Sequence, residues 1–140
     1  MDRYNHERYP DPTAFEALSA VEREERQKAW KPCVFICSPF AGDVEQNIEY
    51  ARRYLTFAAQ NGAIPFAPHL LYPQALDDSD PEQRKLGLFF GSVFLGKCDE
   101  LWVFGGRVSE GMTAEINKAR RRGMLMRYFN QNCEEVEPYA

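Results

Sequence analysis

No run of apolar residues in the 140-residue chain approaches the ~18 that a membrane-spanning helix needs, so no span is expected. The first residues are charged and lack the apolar core of a signal peptide, which makes the cytoplasm the expected compartment. Positive charge is in short supply: 17 Lys and Arg stand against 21 Asp and Glu, for a net charge of −4. That balance, with a pI of about 5.3, excludes a general nucleic-acid surface. The one basic cluster, Arg120 to Arg122, falls at a helix end, where it complements the helix dipole. Cysteine is sparse too. Cys33, Cys37, Cys98 and Cys133 form no paired CxxC pattern, so free thiols are expected and no metal. Internal repeats and low-complexity tracts are lacking, and nothing calls for a cofactor.

What is present is enough apolar residue, 44%, to fill the core of one domain. Residues 1–31 read as a polar arm followed by a helix from the Asp11 N-cap and Pro12 to about Trp30. Its apolar stripe is narrow, which suits packing on a domain edge or a neighbour. From Pro32 the chain alternates. Pro32 to Cys37 is a first strand, Val44 to Ala58 holds helical spacing, and Ala63 to Ala67 is a second strand. A helix starting at Asp80-Pro81 reaches about Gly96. A third strand (Leu101 to Phe104), a helix ending at Gly123 and a fourth strand (Met124 to Phe129) complete residues 32–129, and the acidic tail 130–140 is expected to be loose. Such alternation predicts an α/β, Rossmann-like (flavodoxin-like) three-layer sandwich. Its four-stranded parallel sheet has the order 2-1-3-4, with an extra N-terminal helix. The 81–96 helix is apolar around most of its circumference. A second copy of the chain is the simplest cover for its outer face, so a homodimer or larger homo-oligomer is expected.

The order 2-1-3-4 places a ligand crevice between the first and third strands. After the first strand come Ser38, Pro39, Phe40, Gly42 and Asp43, which are candidate ligand contacts, although an ordinary turn has the same composition. His69 falls just past the second strand on the same rim, where it has either a site role or a structural one. After the third strand, Gly105 and Gly106 turn the chain and Ser109 caps the next helix. Gly111 and Met112 lie in its first turn, where free N–H groups suit an anion. Glu115 sits beside the buried stripe of Met112, Ile116 and Ala119. A plain strand-turn-helix with a solvated Glu fits the same spacing.

Ser109-x-Gly111-x-x-x-Glu115, followed by an apolar residue, resembles the signature of the nucleoside 2-deoxyribosyltransferases and the 2'-deoxynucleoside 5'-phosphate N-hydrolases. The resemblance extends over roughly residues 32–129 and includes the uncharacterised small bacterial and phage domains of that superfamily. It implies a nucleotide or nucleoside ligand and cleavage of an N-glycosidic bond with retention. Glu115 would be the nucleophile, and the Ser109 turn would hold the 5' end. Retaining chemistry also needs an acid–base group. The resemblance expects an Asp about two turns before Asp99, where this chain has Gly91 and Ser92, so that Asp43 or His69 would have to substitute. Asp99 itself precedes the third strand, at the far rim. A binder or sensor that does not turn its ligand over is therefore the alternative, and a purely structural module is a third reading. A carboxylate or imidazole beside Glu115 would favour the enzyme, and a salt bridge to Arg107 or Lys118 the binder.

Overall fold

The computed structural model describes residues 19–22 and 30–140, in two units, 1–31 and 32–140. In the first unit residues 19–22 are helical, within the span expected for the N-terminal helix. The arm, the Asp11 N-cap and the remainder of that helix lie outside the described residues.

The second unit is built on β1 (Cys33–Cys37), which pairs on both sides, as its apolar sequence requires. Both cysteines belong to the strand, as the run Cys33 to Cys37 predicts. Strand β2 (Ile64–Phe66) lies on one side of β1 and β3 (Glu100–Phe104) on the other, followed by β4 (Leu125–Phe129), all parallel. At the amino ends of the strands the Asp99 carboxylate accepts the Cys33 N–H at 2.8 Å, which ties β1 to β3 on the rim away from the crevice.

Side chains alternate between the two faces of the sheet. Val34, Ile36, Trp102 and Phe104 meet Tyr54 and Ala58 of α1 (Val44–Gln60). Aromatic stacking runs through this layer, with Tyr54 on Phe104 at 4.4 Å and Phe104 on Phe129 at 4.7 Å. On the other face Phe35, Cys37, Leu101 and Val103 meet two helices: Leu95 from α3 (Pro81–Leu95), and Met112, Ile116 and Ala119 from α4 (Glu110–Arg121). A short helix, α2 (Pro68–Leu71), continues into a 3₁₀ turn at Tyr72–Gln74 where the sequence predicted only a connecting stretch.

Two expectations are corrected. The sheet has five strands, because β5 (Glu135–Val136) adds to β4 in antiparallel fashion. The tail is accordingly not loose. The Asn130 carboxamide accepts the Asn132 and Glu134 N–H groups at 2.9 and 3.0 Å and builds the turn. The Arg127 guanidinium then grips Glu135 with two bonds of 2.9 and 2.7 Å. Farther on, the Tyr139 hydroxyl donates to the Phe129 carbonyl at 2.7 Å and accepts the Gly106 N–H at 3.3 Å. In α3, Gly91 and Leu95 are buried, but Leu88 and Phe89 stand 57% and 62% exposed on the single chain, so one sheet covers only one stripe of the helix. Among the described residues no helix is long and apolar enough to cross a membrane.

Candidate functional site

The carboxyl ends of β1 and β3 open into a cavity of about 520 Å³. The β1 exit contributes Ser38 and Phe40, and α2 contributes His69. The opening turns of α4 contribute Ser109, Gly111, Met112 and Glu115. Opposing them are Leu88, Gly91 and Ser92 of α3, with Tyr72 and Leu76 from the connection before it. Seven sequence-predicted site residues are thereby brought together.

The other four do not line the cavity. The Asp43 carboxylate caps α1 by accepting the Gln46 N–H at 3.2 Å. Gly42 turns the exposed loop at φ +101°. Pro39 packs against Gly105, where a Cβ would meet the proline ring at 3.3 Å. The buried Asn47 side chain donates to the Phe40 and Ala41 carbonyls at 2.8 and 3.1 Å. Most of the polar groups of this loop thus serve the start of α1.

Ser38 is 2% exposed, and its hydroxyl has no partner among the described residues. A buried orphan hydroxyl is costly, so a group able to bond it is implied at this point of the cavity wall. The Ser38 carbonyl is used: the His69 Nε2–H donates to it at 2.9 Å. That bond fixes the tautomer and leaves Nδ1 as an acceptor. The Phe40 ring stacks on the imidazole at 4.8 Å. Burial lowers the His69 pKa from 6.5, opposed by the Ser38 bond and by Asp78, so the ring is neutral at neutral pH.

At the start of α4 the Ser109 hydroxyl accepts the Met112 N–H at 3.4 Å, and Thr113 N–H bonds the Ser109 carbonyl. Glu110 and Gly111 keep N–H groups with no partner among the described residues. A Cβ at Gly111 would meet nothing within 4 Å, so the helix start is uncrowded on that side. Polarity and helix dipole both favour an anion there.

One turn on, Glu115 points between α4 and the sheet. Burial pushes its carboxyl from 4.5 up to about 8, and a hydrogen bond from the Cys37 thiol at 3.7 Å pulls only weakly the other way. The Cys37 thiol is itself pushed well above 9.0, first by burial and then by the neighbouring carboxylate. At neutral pH the pair is therefore largely a thiol and a carboxylic acid. Neither expected partner of Glu115 is present. Among the described residues no second carboxylate or imidazole bonds it, and it forms no salt bridge with Arg107 or Lys118. The Lys118 ammonium instead donates to the Ser92 carbonyl and to the Ser92 hydroxyl, the latter at 2.7 Å.

Sequence reasoning passed over Cys37 and Ser92 as site groups. The alternation of β1 did carry a signal for Cys37, since it shares a face with Phe35 and so points at α4. For Ser92 the signal was its position, since the resemblance expects an acid–base Asp at Gly91 and Ser92, and both line the cavity.

Residues 32–129 match the model of a family described as a domain of unknown function, DUF7768. None of the curated proteins matches the sequence. Among solved structures the chain is similar to the 2-deoxyribosyltransferase of the psychrotolerant bacterium Bacillus psychrosaccharolyticus. The TM-score is 0.59 at 14% identity, over 75% of this chain and 77% of that one. At that identity the likeness is one of fold, a Rossmann-like α/β arrangement.

Proposed function

This chain belongs to the DUF7768 family, and from that premise we propose that its α/β unit binds a (deoxy)nucleoside 5'-monophosphate and cleaves the N-glycosidic bond through a covalent glycosyl–Glu115 intermediate. The observation that carries the reading is one cavity faced by three groups: the Glu115 carboxyl, the orphaned Ser38 hydroxyl and the open N-terminus of α4. The phosphate takes the Glu110 and Gly111 N–H groups, and the sugar lies over Glu115. In the first step a Glu115 oxygen bonds the anomeric carbon while the bond to the base breaks, its electron pair leaving with the base. Water then takes the sugar, restoring the carboxylate and releasing a proton. A carboxyl titrating at about 8 is only about one-tenth ionised at neutral pH, which limits the rate there. General acid–base help is worth about 10²–10⁴-fold. With Gly91 and Ser92 on the α3 wall and His69 tied to Ser38, slow turnover is expected. The fold likeness to a 2-deoxyribosyltransferase supports the same substrate class. Cover of the exposed α3 face by a second copy of the chain, in the cytoplasm, belongs to this reading.

The test is chromatographic detection of free base after long incubation of deoxynucleoside monophosphates with concentrated protein. Wild type should release base and Glu115→Gln should not. Equal background release by both would reject the hydrolase reading. A specific observation favours a second reading, that of a non-catalytic binder or sensor: the hydrogen-bond partner of buried Glu115 is the Cys37 thiol, not a carboxylate or imidazole. In that case the nucleotide binds, no base appears, and Glu115→Gln changes affinity alone.

A further inference from the structure

One part of the cavity wall has no role in the reading above. Lys118 and Ser92 both line it, and each is half-buried. An ammonium has three N–H donors, and two of them are used on the Ser92 carbonyl and hydroxyl. The third remains. Because the Ser92 oxygen accepts from Lys118, its own O–H is left to donate, and no acceptor for it is present among the described residues. Nor does Lys118 have a carboxylate within ion-pair distance among them; the nearby Arg84 faces Asp78 at 4.0 Å instead. This stretch of wall therefore offers two free donors and positive charge. A half-buried ammonium held only by neutral groups is incompletely compensated, so an electron-rich oxygen from a ligand completes it.

The position along α4 says which part of a nucleotide that oxygen belongs to. At ~1.5 Å of rise per residue, Glu115 lies about 6 Å beyond Gly111 and Lys118 about 10 Å beyond it. Anion site, carboxyl and ammonium follow one another in the order phosphate, sugar and base, over about the length of a nucleotide. We infer that the Lys118–Ser92 pair is a base-reading subsite for an exocyclic oxo group. The ligand class is then nucleotides whose base carries an oxo group at C4 of a pyrimidine or C6 of a purine (uracil, thymine, hypoxanthine, guanine), with the 4-amino and 6-amino bases cytosine and adenine disfavoured. An exocyclic amino group would set donor against donor and leave the ammonium unpaired. The inference rests on the nucleotide reading of the cavity.

The experiment is equilibrium binding of two ligand pairs that exchange a 4-oxo or 6-oxo group and its neighbouring ring N–H for an amino group and a bare ring nitrogen, dUMP with dCMP and dIMP with dAMP. Deoxyribose 5-phosphate, which has no base, is the reference. Wild type should bind each oxo ligand roughly 10- to 100-fold more tightly than its amino partner, the range set by one unpaired donor at a half-buried site. Lys118→Met and Ser92→Ala should each bring the ratio toward one. Lys118 also ties α4 to the last turn of α3, so Lys118→Met risks unfolding; Ser92→Ala removes only a hydroxyl and decides the question if it does. Equal affinities within both pairs in wild type, a preference for the amino ligands, or a ratio that survives Ser92→Ala overturns the inference. If that happens while deoxyribose 5-phosphate still binds, the nucleotide reading stands and only the base subsite is wrong. If neither the sugar phosphate nor any nucleotide binds, the nucleotide reading fails, and the inference fails with it.

Discussion

Replacing Glu115 by Gln should make the protein more resistant to unfolding as the pH rises, relative to wild type. A carboxyl held at about 8 in the folded chain, against an ordinary 4.5, keeps its proton more tightly folded than unfolded. The stability it confers is full in acid and is lost as pH climbs through that window, because ionisation then favours the unfolded chain. Each pH unit inside the window is worth about 1.4 kcal/mol, so between about pH 5 and pH 8 the loss is at most about 3.5 kcal/mol. The side chain has a window onto the cavity, and solvent screening there reduces the figure to about 2 kcal/mol. Gln has the same size, can still accept the Cys37 S–H, and does not titrate. The assay is urea unfolding of both proteins at several pH values. His69 and the surface carboxylates titrate in both and cancel in the difference, and the Cys37 thiol lies above this range. The variant should gain about 2 kcal/mol on wild type between the acid and alkaline ends, about 8 °C in midpoint if the unfolding is thermal. A difference that does not change with pH would mean that Glu115 ionises normally in solution, and the account of the site as a buried, largely neutral carboxyl would be wrong.

Ser38→Ala removes a buried hydroxyl that has no partner, so it should raise stability by about 1 kcal/mol while weakening nucleotide binding; lower stability by denaturant titration would show that the hydroxyl is bonded in the free protein. Under the enzyme reading, log kcat/KM should climb with unit slope below about pH 8 and then level off, as the carboxyl with that value ionises. A flat profile through neutrality would take Glu115 ionisation out of the rate. The exposed face of α3, with Phe89 62% accessible, should be covered in solution: sedimentation should give a dimer or larger species, and Phe89→Asp should dissociate it. A wild-type monomer at micromolar concentration would refute this.

The parts of the fold that were legible in the sequence are those marked by local chemistry. Apolar runs bounded by Gly or Pro gave the four parallel strands, and Asp43, Asp80-Pro81 and Ser109 cap the three long helices where their residue types predict. Strand β5 had no such mark: it is two residues long and is held by Arg127 and the Asn130 turn, contacts that only the folded chain creates. Adjacency to Ser38 made Pro39, Gly42 and Asp43 look like ligand contacts. Local hydrogen bonding won instead, because Asn47 and Gln46 lie within one helical turn and take up the polar groups of the loop. The Lys118–Ser92 pair joins residues 26 apart on two helices, and no spacing rule reaches that far. Lys118 stands three residues after Glu115, and an ion pair between them is one of the arrangements the sequence allows, the one favouring a binder. The α3 carbonyl end and a hydroxyl hold the ammonium instead.

That substitution of partners decides how the cavity manages charge. A phosphate at the start of α4 and an ionised Glu115 one turn on would place two negative groups about 6 Å apart in a partly dry space, at a cost in binding. Burial keeps Glu115 largely protonated in the empty cavity, with the Cys37 thiol pulling only weakly the other way, so a phosphate meets a neutral neighbour. Chemistry at the anomeric carbon needs the opposite state, because the sugar turns cationic on the way to the transition state and only a carboxylate stabilises it. Under the enzyme reading the two demands are met in sequence along one helix. The nucleotide binds to the neutral acid, and positive charge developing on the sugar then draws the carboxyl pKa down, its proton leaving to water. Lys118, three residues farther on, makes no ion pair with Glu115 among the described residues. A salt bridge to Glu115 would have fixed the carboxylate in its charged form and hidden it from the sugar; an ammonium held on Ser92 leaves it free.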